Sequence, residues 1–162
     1  MTSNGLERRR AEGKLKNLEA VLKNNPLSSL AGIGHTRWAT HGVPNEINAH
    51  PHVTSELALV HNGIIENYQE LASGLADRGY PIESDTDTEI AAWVITSFID
   101  DGLTPEDAMA AALKKFQGAF SLAVIFKNDD DLMIGARRGA PLAVGWGDGE
   151  MFLGSDAWRS LL

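Results

Sequence analysis

The sequence contains no cysteine. A chain without cysteine forms no disulfide, binds no metal through thiolates and offers no cysteine nucleophile. Disulfides belong mainly to oxidising compartments, and their absence predicts a cytoplasmic protein. Any covalent catalysis by these residues would have to use another nucleophile, such as a serine or threonine hydroxyl.

Long hydrophobic runs and excess positive charge are also missing. No apolar stretch approaches the roughly 20 residues of a membrane-spanning helix. The opening MTSNGLERRR is polar where a secretory signal needs an apolar segment. The net charge of −8 argues against nucleic acid and anionic membranes as partners. The one basic cluster is interspersed with glutamates and is predicted to be a solvated helix face; it comprises Arg8, Arg9, Arg10, Lys14 and Lys16.

What is present suits a single globular domain. The chain has 162 residues, of which 43% are hydrophobic, enough to bury a core. Hydrophobic residues at helical spacing predict helices over 14–24 and about 67–78. Two more helices are predicted to begin after Thr86, which has capping-box spacing to Glu89, and after Thr104.

Strands are predicted on both sides of these helices. Residues 31–37 and 56–62 read as two early strands, the second ending in a turn at Asn62-Gly63. Four short strands close together follow the helices, at 120–126, 132–137, 142–146 and 151–154. Helices flanked by closely spaced strands predict an α+β domain with an antiparallel sheet.

All five histidines lie between His35 and His61. His50 and His52 flank a proline, a spacing that can hold a metal ion between two imidazoles. Further ligands would be needed, and the candidates are His41, His61, Asp85 and Asp87. The favoured interpretation is that the loop histidines make structural hydrogen bonds, so no metal and no cofactor are predicted.

A hydroxyl nucleophile is a second hypothesis. No G-x-S-x-G motif is present. Thr2 would become the N-terminal residue if Met1 were removed, and its own α-amine could then act as base. Residues 1–13 are expected to be a mobile, solvated leader, however, and such a segment is a poor place for a buried nucleophile.

Three polar positions point to recognition of a small amino acid. Arg37 can hold a carboxylate through two parallel hydrogen bonds. Asp87 can pair with an ammonium group, although Asp is also common in a first helical turn for electrostatic reasons. Asn62 and Gly63 can donate to a developing oxyanion, or can form an ordinary hairpin turn.

Taken together, the motifs GHTRWATHG, NAHPH, HNGIIENY and SDTDTEI resemble a known family. In this order they are similar to the glutaminase domain of the glutamine–fructose-6-phosphate aminotransferases. These are class II amidotransferases, with an N-terminal nucleophile. The resemblance extends from RRRAEGKLKNLE to FLGSDAW, nearly the whole chain. It implies an αββα four-layer sandwich of the N-terminal-nucleophile hydrolase type.

The resemblance implies roles for the residues that match the family motifs. Arg37 matches the residue that grips the glutamine α-carboxylate, and Asp87 the one that binds its α-amine. Asn62 and Gly63 match the oxyanion hole.

The remaining matches lie in loops. A closing loop is matched by Trp38, Thr40 and His41, and Trp38 also matches the residue that gates ammonia passage. The resemblance places His50, His52 and His61 near the active site or a domain interface without fixing their roles.

The family mechanism depends on a cysteine at the chain's N-terminus, which attacks glutamine to form a thioester. Ammonia then passes to a separate sugar isomerase region that binds fructose 6-phosphate, in a protein expected to be a homo-oligomer. Residues 1–162 therefore read as one partial amidotransferase domain without its N-terminal strands and without the isomerase region. The expectation is that this chain binds L-glutamine but does not hydrolyse it alone. The alternative is a non-catalytic module for glutamine binding or subunit interaction.

Overall fold

The computed structural model of the chain describes residues 5–37, 43 and 45–156. Within these residues lie four helices, α1 (Leu15–Asn24), α2 (Tyr68–Asp77), α3 (Asp87–Asp100) and α4 (Pro105–Lys115). The six strands are β1 (His52–Val53), β2 (Leu57–Ile65), β3 (Gly118–Phe126), β4 (Asp129–Arg138), β5 (Ala143–Trp146) and β6 (Met151–Gly154).

The strands form two antiparallel sheets. β1 to β4 make a four-stranded sheet in chain order, and β5 pairs with β6 in a separate two-stranded sheet. In the larger sheet Asn62 of β2 lies opposite Ser121 of β3. The predicted α+β class with an antiparallel sheet is confirmed, as are the four strands near the C-terminus.

The core lies between one face of the four-stranded sheet and helices α2, α3 and α4. β2 contributes Leu57 and Leu59 to this face, and β3 contributes Phe120 and Leu122. α3 supplies Ile95 and other apolar side chains to the same cluster. Burying a large apolar side chain stabilises a fold by about 1.5–3 kcal/mol, so this face holds the helices on the sheet.

The predicted starts of α3 and α4 are confirmed by their caps. The Thr86 hydroxyl accepts from the N–H of Glu89 at 3.3 Å, and Thr104 accepts from the N–H of Asp107 at 3.2 Å. The Glu89 carboxylate does not complete the predicted capping box with Thr86. It accepts instead from the backbone N–H groups of Glu83 and Ser84, which anchors the loop that precedes α3.

Two strand predictions need correction. Residues 31–37 form no strand, because they pair with no other strand among the described residues. Asn62 and Gly63 do not form a hairpin turn. They lie inside β2, which continues to Ile65 because its pairing with β3 runs unbroken across both residues.

The predicted helix face is wrong for the three arginines of the basic cluster, whereas Lys16 is an exposed residue of α1. Arg8, Arg9 and Arg10 precede α1, and their guanidinium groups donate to backbone carbonyls. Arg8 donates to the carbonyl of Pro51, and Arg10 to those of Ile47 and Ala49. These contacts fasten residues 8–10 to the loop that carries His50 and His52. The mobile leader over residues 1–13 stays a prediction.

The second face of the four-stranded sheet lies against the β5–β6 sheet. A Cβ atom built on Gly135 of β4 would lie 2.6 Å from Cδ2 of Leu153 in β6 and 3.2 Å from Cδ2 of Leu142. The glycine therefore lets the two sheets approach closely. No helix among the described residues is long and apolar enough to cross a membrane.

Candidate active site

A cavity of about 490 Å³ opens between the two sheets. Its wall includes Asn62 of β2, Ser121 of β3, Leu153 of β6 and the segment Gly34–Thr36. Concave sites with a few polar groups among apolar ones are the usual places for small ligands. We call this the sheet cavity.

Asn62 is exposed at the wall of the sheet cavity, and its carboxamide has a defined partner. Oδ1 of Asn62 lies 2.7 Å from Nε2 of His35, within hydrogen-bond distance. The amide nitrogen is the other end of the same group, and it carries two N–H donors. An amide whose oxygen is engaged in this way keeps its donors for a ligand.

Gly63 cannot be replaced by a larger residue without movement of the sheet. Its φ is +115°, in the region that side chains rarely adopt. An added Cβ would lie 2.2 Å from the carbonyl oxygen of Ala119 and 2.7 Å from Cα of Phe120. The glycine that follows Asn62 is therefore required by the close approach of β3.

Asp87, in the first turn of α3, is 3% exposed. Its Oδ2 accepts from the backbone N–H of Ile65 at 2.9 Å, which ties the helix to the end of β2. Its Oδ1 lies 3.7 Å from Nδ1 of His61 and 3.4 Å from the hydroxyl of Thr88. The carboxylate thus sits behind β2, close to the strand that carries Asn62.

Four histidines, His35, His50, His52 and His61, form what we call the imidazole cluster. The Thr88 hydroxyl lies 2.9 Å from Nε2 of His50 and 3.0 Å from Nδ1 of His61. A hydroxyl has one proton and two lone pairs. If the proton is donated to Asp87, Thr88 can accept from both imidazoles, and all three contacts are satisfied at once.

The other members of the cluster complete a stack. The ring of His35 is stacked on that of His50, with centroids 4.3 Å apart, and His52 meets His50 edge-on at 5.3 Å. His52 is held in turn by the hydroxyl of Thr86 at 3.0 Å. His35, His50 and His52 therefore make hydrogen bonds within the fold, as was predicted for the loop histidines.

Burial keeps the imidazoles of His35, His50 and His52 neutral. Desolvation is the main cause that lowers the pKa of His50 to about 2, and the neighbouring imidazoles add to the effect. Desolvation also lowers the pKa of His52 to about 4, against an opposing contribution from Glu89. The pKa of His35 is lowered by burial as well, although its hydrogen bond to Asn62 acts in the other direction.

Arg37 faces a different space. Its Nη1 donates to the carbonyl of Val43 at 3.1 Å. It borders a second cavity, of about 280 Å³, together with Arg10, Lys14 and His50. We call this the basic cavity.

The structure brings part of the predicted site together. Asn62 borders the sheet cavity and Arg37 the basic cavity, while His35 and Thr36 border both. Asp87 borders neither of these two cavities and contacts the back of β2 instead. Their roles toward a ligand stay predictions. Three predicted site residues, Trp38, Thr40 and His41, lie outside the described residues, and so does Thr2.

The metal hypothesis finds no site among the described residues. Over residues 5–37, 43 and 45–156, no three His, Asp or Glu side chains are placed to hold one ion. His50 and His52 direct their Nε2 atoms to two different threonines, Thr88 and Thr86. His41, one of the proposed ligands, lies outside this part of the chain.

Sequence reasoning missed two residues that organise the site. His35 contacts Asn62 directly, and Thr88 joins two imidazoles to Asp87. His35 stands in the same GHTRWATHG motif as Arg37, and Thr88 directly follows Asp87 in SDTDTEI. Proximity to a recognised residue was the only signal for either of them.

The fold is that of the amidotransferases of the N-terminal-nucleophile hydrolase type. Two solved structures share this fold. Glutamine phosphoribosylpyrophosphate amidotransferase from B. subtilis superposes with a TM-score of 0.63 at 27% identity, covering 84% of this chain and 30% of its own. An allosteric regulatory enzyme of purine biosynthesis gives 0.60 at 27% identity, covering 74% of this chain and 26% of its own.

The family follows from the sequence comparison. Residues 35–160 match the model of the glutamine amidotransferase domain, which is most of the chain, and the chain belongs to this family. The glutamine–fructose-6-phosphate aminotransferase of Mesorhizobium japonicum is 61% identical over 152 residues, or 94% of this chain. The enzymes of the same name from Caulobacter vibrioides and Gluconobacter oxydans are 59% and 55% identical over 94% and 97% of this chain.

The chain spans about a quarter of the length of these relatives, between 25% and 26%. The resemblance to the glutaminase domain of this group is confirmed over that part. About three quarters of each relative therefore lies outside the alignment.

Proposed function

We propose that this chain is the glutamine-binding part of a glutamine–fructose-6-phosphate aminotransferase. In the full protein it would hydrolyse L-glutamine to glutamate and ammonia, and the ammonia would serve the synthesis of glucosamine 6-phosphate. The observation that carries the proposal is the position of Asn62 at the wall of the sheet cavity, directly before Gly63 in β2, in a chain 61% identical over 152 residues to such an enzyme. Fructose 6-phosphate would bind a separate isomerase region of a cytoplasmic homo-oligomer.

Glutamine recognition is assigned to two charged groups. Arg37 would hold the α-carboxylate, because a guanidinium can donate two parallel hydrogen bonds to its oxygens. Asp87 would provide the negative charge for the α-ammonium. Since Asp87 is buried behind β2, we propose that it acts on the ligand at the edge of the strand near Asn62.

The reacting amide is assigned to Asn62 and Gly63. Nδ2 of Asn62 and the N–H of Gly63 would donate to the oxygen that gains negative charge during attack. Preformed donors of this kind lower the barrier because they need no reorganisation, and one donor contributes roughly 3–4 kcal/mol. The exposed position of both residues on β2 supports this role.

The loop that holds Trp38, Thr40 and His41 is proposed to close over bound glutamine. Closure would exclude water from the site, as mobile loops do in many enzymes. Trp38 is further proposed to control the passage of ammonia. These three roles rest on the matching motif GHTRWATHG.

The sequence has no cysteine to form a thioester. We propose that the 162-residue polypeptide by itself binds glutamine without turning it over. Removal of a nucleophile abolishes most of the rate even where the binding groups remain. The same absence of cysteine favours a second candidate function, a non-catalytic module that binds glutamine or contacts another subunit.

Calorimetry with L-glutamine tests the proposal. Binding at millimolar ligand is expected, with a loss of at least tenfold in Arg37→Met, which keeps the length of the side chain but removes its charge. Arg78→Met is the matched control, because Arg78 is an exposed arginine that pairs with Asp101 at the far end of α2. D-glutamine should bind more weakly than L-glutamine.

Two outcomes separate the candidate functions. If no heat is released with millimolar L-glutamine, the proposed recognition of glutamine by Arg37 and Asp87 is refuted. The module that contacts another subunit is then the remaining candidate. Ammonia release above background by the purified polypeptide would refute the prediction that it has no turnover.

A further inference from the structure

The contact between His35 and Asn62 constrains which end of the Asn62 carboxamide faces the sheet cavity. Oδ1 of the carboxamide can only accept hydrogen bonds, and Nδ2 can only donate them. With Oδ1 of Asn62 2.7 Å from Nε2 of His35, the contact is a hydrogen bond only if Nε2 carries a proton. The opposite tautomer would pair with an inverted carboxamide, whose oxygen would then face the ligand.

The surroundings of Nδ1 of His35 fit the Nε2–H tautomer, and the backbone of His61 also interacts with this ring. Nδ1 of His35 is buried and has no hydrogen-bond partner among the described residues. A buried lone pair on a ring nitrogen costs less than an N–H donor without an acceptor, since unsatisfied donors are the rarer case in folded proteins. Burial also lowers the pKa of His35, so the ring carries a proton on only one nitrogen near neutral pH.

The ring of His35 is held in place from behind. It stacks on His50, whose ring plane is tilted by 24° from its own, and Nε2 of His50 is anchored to the Thr88 hydroxyl at 2.9 Å. Thr88 belongs to α3, which is packed on the sheet. A chain of contacts therefore runs from the rigid helix through two imidazoles to the carboxamide of Asn62.

We propose that His35 is a positioning residue that holds the Asn62 carboxamide with its Nδ2 donors directed to the ligand in the sheet cavity. The proposal deepens the proposed function, because it rests on Asn62 as an oxyanion donor. An unrestrained carboxamide would spend part of its time with Oδ1 facing the ligand. In that orientation the partial negative charge of Oδ1 would repel the developing oxyanion. A fixed orientation makes the donor preorganised.

The test uses the full chain and long-range ¹H–¹⁵N spectra of its imidazoles. The nitrogen shifts of His35 distinguish a protonated from an unprotonated ring nitrogen, and His35→Gln identifies the signal by its loss. The Nε2–H tautomer is expected. The Nδ1–H tautomer would overturn the proposal, whether or not glutamine binds.

Two variants separate positioning from folding. His35→Gln keeps an N–H donor near Asn62, whereas His35→Phe keeps a flat ring but removes the donor. The side-chain amide signals of Asn62, assigned with Asn62→Ala, should keep their wild-type shifts in His35→Gln and move in His35→Phe. The proposal would be overturned if the Asn62 amide signals had the same shifts in both variants as in the wild type. It would also be overturned if the two variants moved these signals by the same amount. Backbone spectra of each variant establish that it folds.

Glutamine binding keeps the two proposals distinguishable. His35→Phe should weaken L-glutamine binding roughly three- to tenfold, the effect of one hydrogen bond, and His35→Gln should restore it. If no variant and no wild-type protein binds glutamine while the spectra show the Nε2–H tautomer, the proposed function fails and the positioning stands. If wild type binds and His35→Phe binds equally well, the positioning role fails.

Discussion

Oδ2 of Asp87 accepts a hydrogen bond from the backbone N–H of Ile65 at 2.9 Å, which joins the first turn of α3 to the end of β2. The carboxylate proposed to bind a substrate ammonium is therefore also part of the fold. A buried donor left without an acceptor costs about 1–3 kcal/mol. Loss of binding in an Asp87 variant can thus reflect either role, and the choice of substitution decides which one is measured.

Asp87→Asn separates the two roles. Asparagine keeps an oxygen that can accept from Ile65 but presents an N–H donor where the Thr88 hydroxyl had an acceptor, so we expect the unfolding free energy to fall by about 1–3 kcal/mol. The affinity for L-glutamine should fall at least tenfold, because the negative charge is lost. Chemical denaturation and calorimetry on the same samples measure the two effects.

Asp85→Asn is the matched control for Asp87→Asn. Asp85 stands in the same SDTDTE motif and is exposed, with Oδ2 3.2 Å from Nδ2 of Asn48. It should bind glutamine as the wild type does. Unchanged affinity in Asp87→Asn would show that its charge does not contact the ligand.

The local features of the fold could be predicted from the sequence because neighbouring residues produce them. Thr86 and Thr104 accept from the backbone three residues later, as their spacing to Glu89 and Asp107 implies. Gly79, with φ of +81°, follows α2 as an ordinary stop.

The errors arise where distant residues decide. An Asn-Gly pair makes a good turn in isolation, but at Gly63 the backbone of β3 comes so close that only glycine fits. Residues 31–37 have the composition of a strand but find no partner strand in the described part of the chain. His35 and Thr88 became visible as site residues only when the fold brought segments 27 residues or more apart into contact.

Thr88→Val should destabilise the protein by about 2–4 kcal/mol. Valine has nearly the shape of threonine but removes the hydroxyl that contacts two imidazoles, and buried groups left without partners are costly. Urea unfolding at pH 7.5 measures the loss. Thr88→Ser, which keeps the hydroxyl, should lose less than Thr88→Val; equal losses would mean that packing, not hydrogen bonding, is what Thr88 provides.

Gly63→Ala should destabilise the protein by about 2–4 kcal/mol, since the new Cβ meets backbone atoms of β3 and the positive φ is strained. Gly74 in α2 gives the matched control. It is exposed, with nothing within 4 Å of an added Cβ, so Gly74→Ala should stabilise the helix by about 0.5–1 kcal/mol. Thermal unfolding compares the two. Gly63→Ala with wild-type stability would show that β2 and β3 can separate at this point.

Acidification should unfold the protein through the imidazole cluster. The folded state holds the pKa of His50 at about 2 and that of His52 at about 4, whereas an unfolded chain protonates histidine near 6.5. Between pH 6.5 and 4 the unfolded state therefore binds more protons, and stability falls as the pH falls. Each histidine contributes up to about 1.4 kcal/mol per pH unit in this window. Urea titrations from pH 7.5 to 5 measure the slope.

His50→Gln gives the control for the pH dependence. The substitution disturbs the packing of the cluster, so the variant should be less stable than the wild type at pH 7.5. Glutamine has no proton to gain in this range, so the stability of the variant should fall less steeply with acid, with a slope smaller by about one proton per molecule. The slope separates titration from packing, because a packing defect lowers stability equally at every pH. Carboxylates begin to protonate below about pH 4–5 and set the lower limit of the window. If the stability of the variant fell with acid as steeply as that of the wild type, His50 would have to be protonated or hydrated in the folded state. Burial would then not be what keeps this histidine neutral.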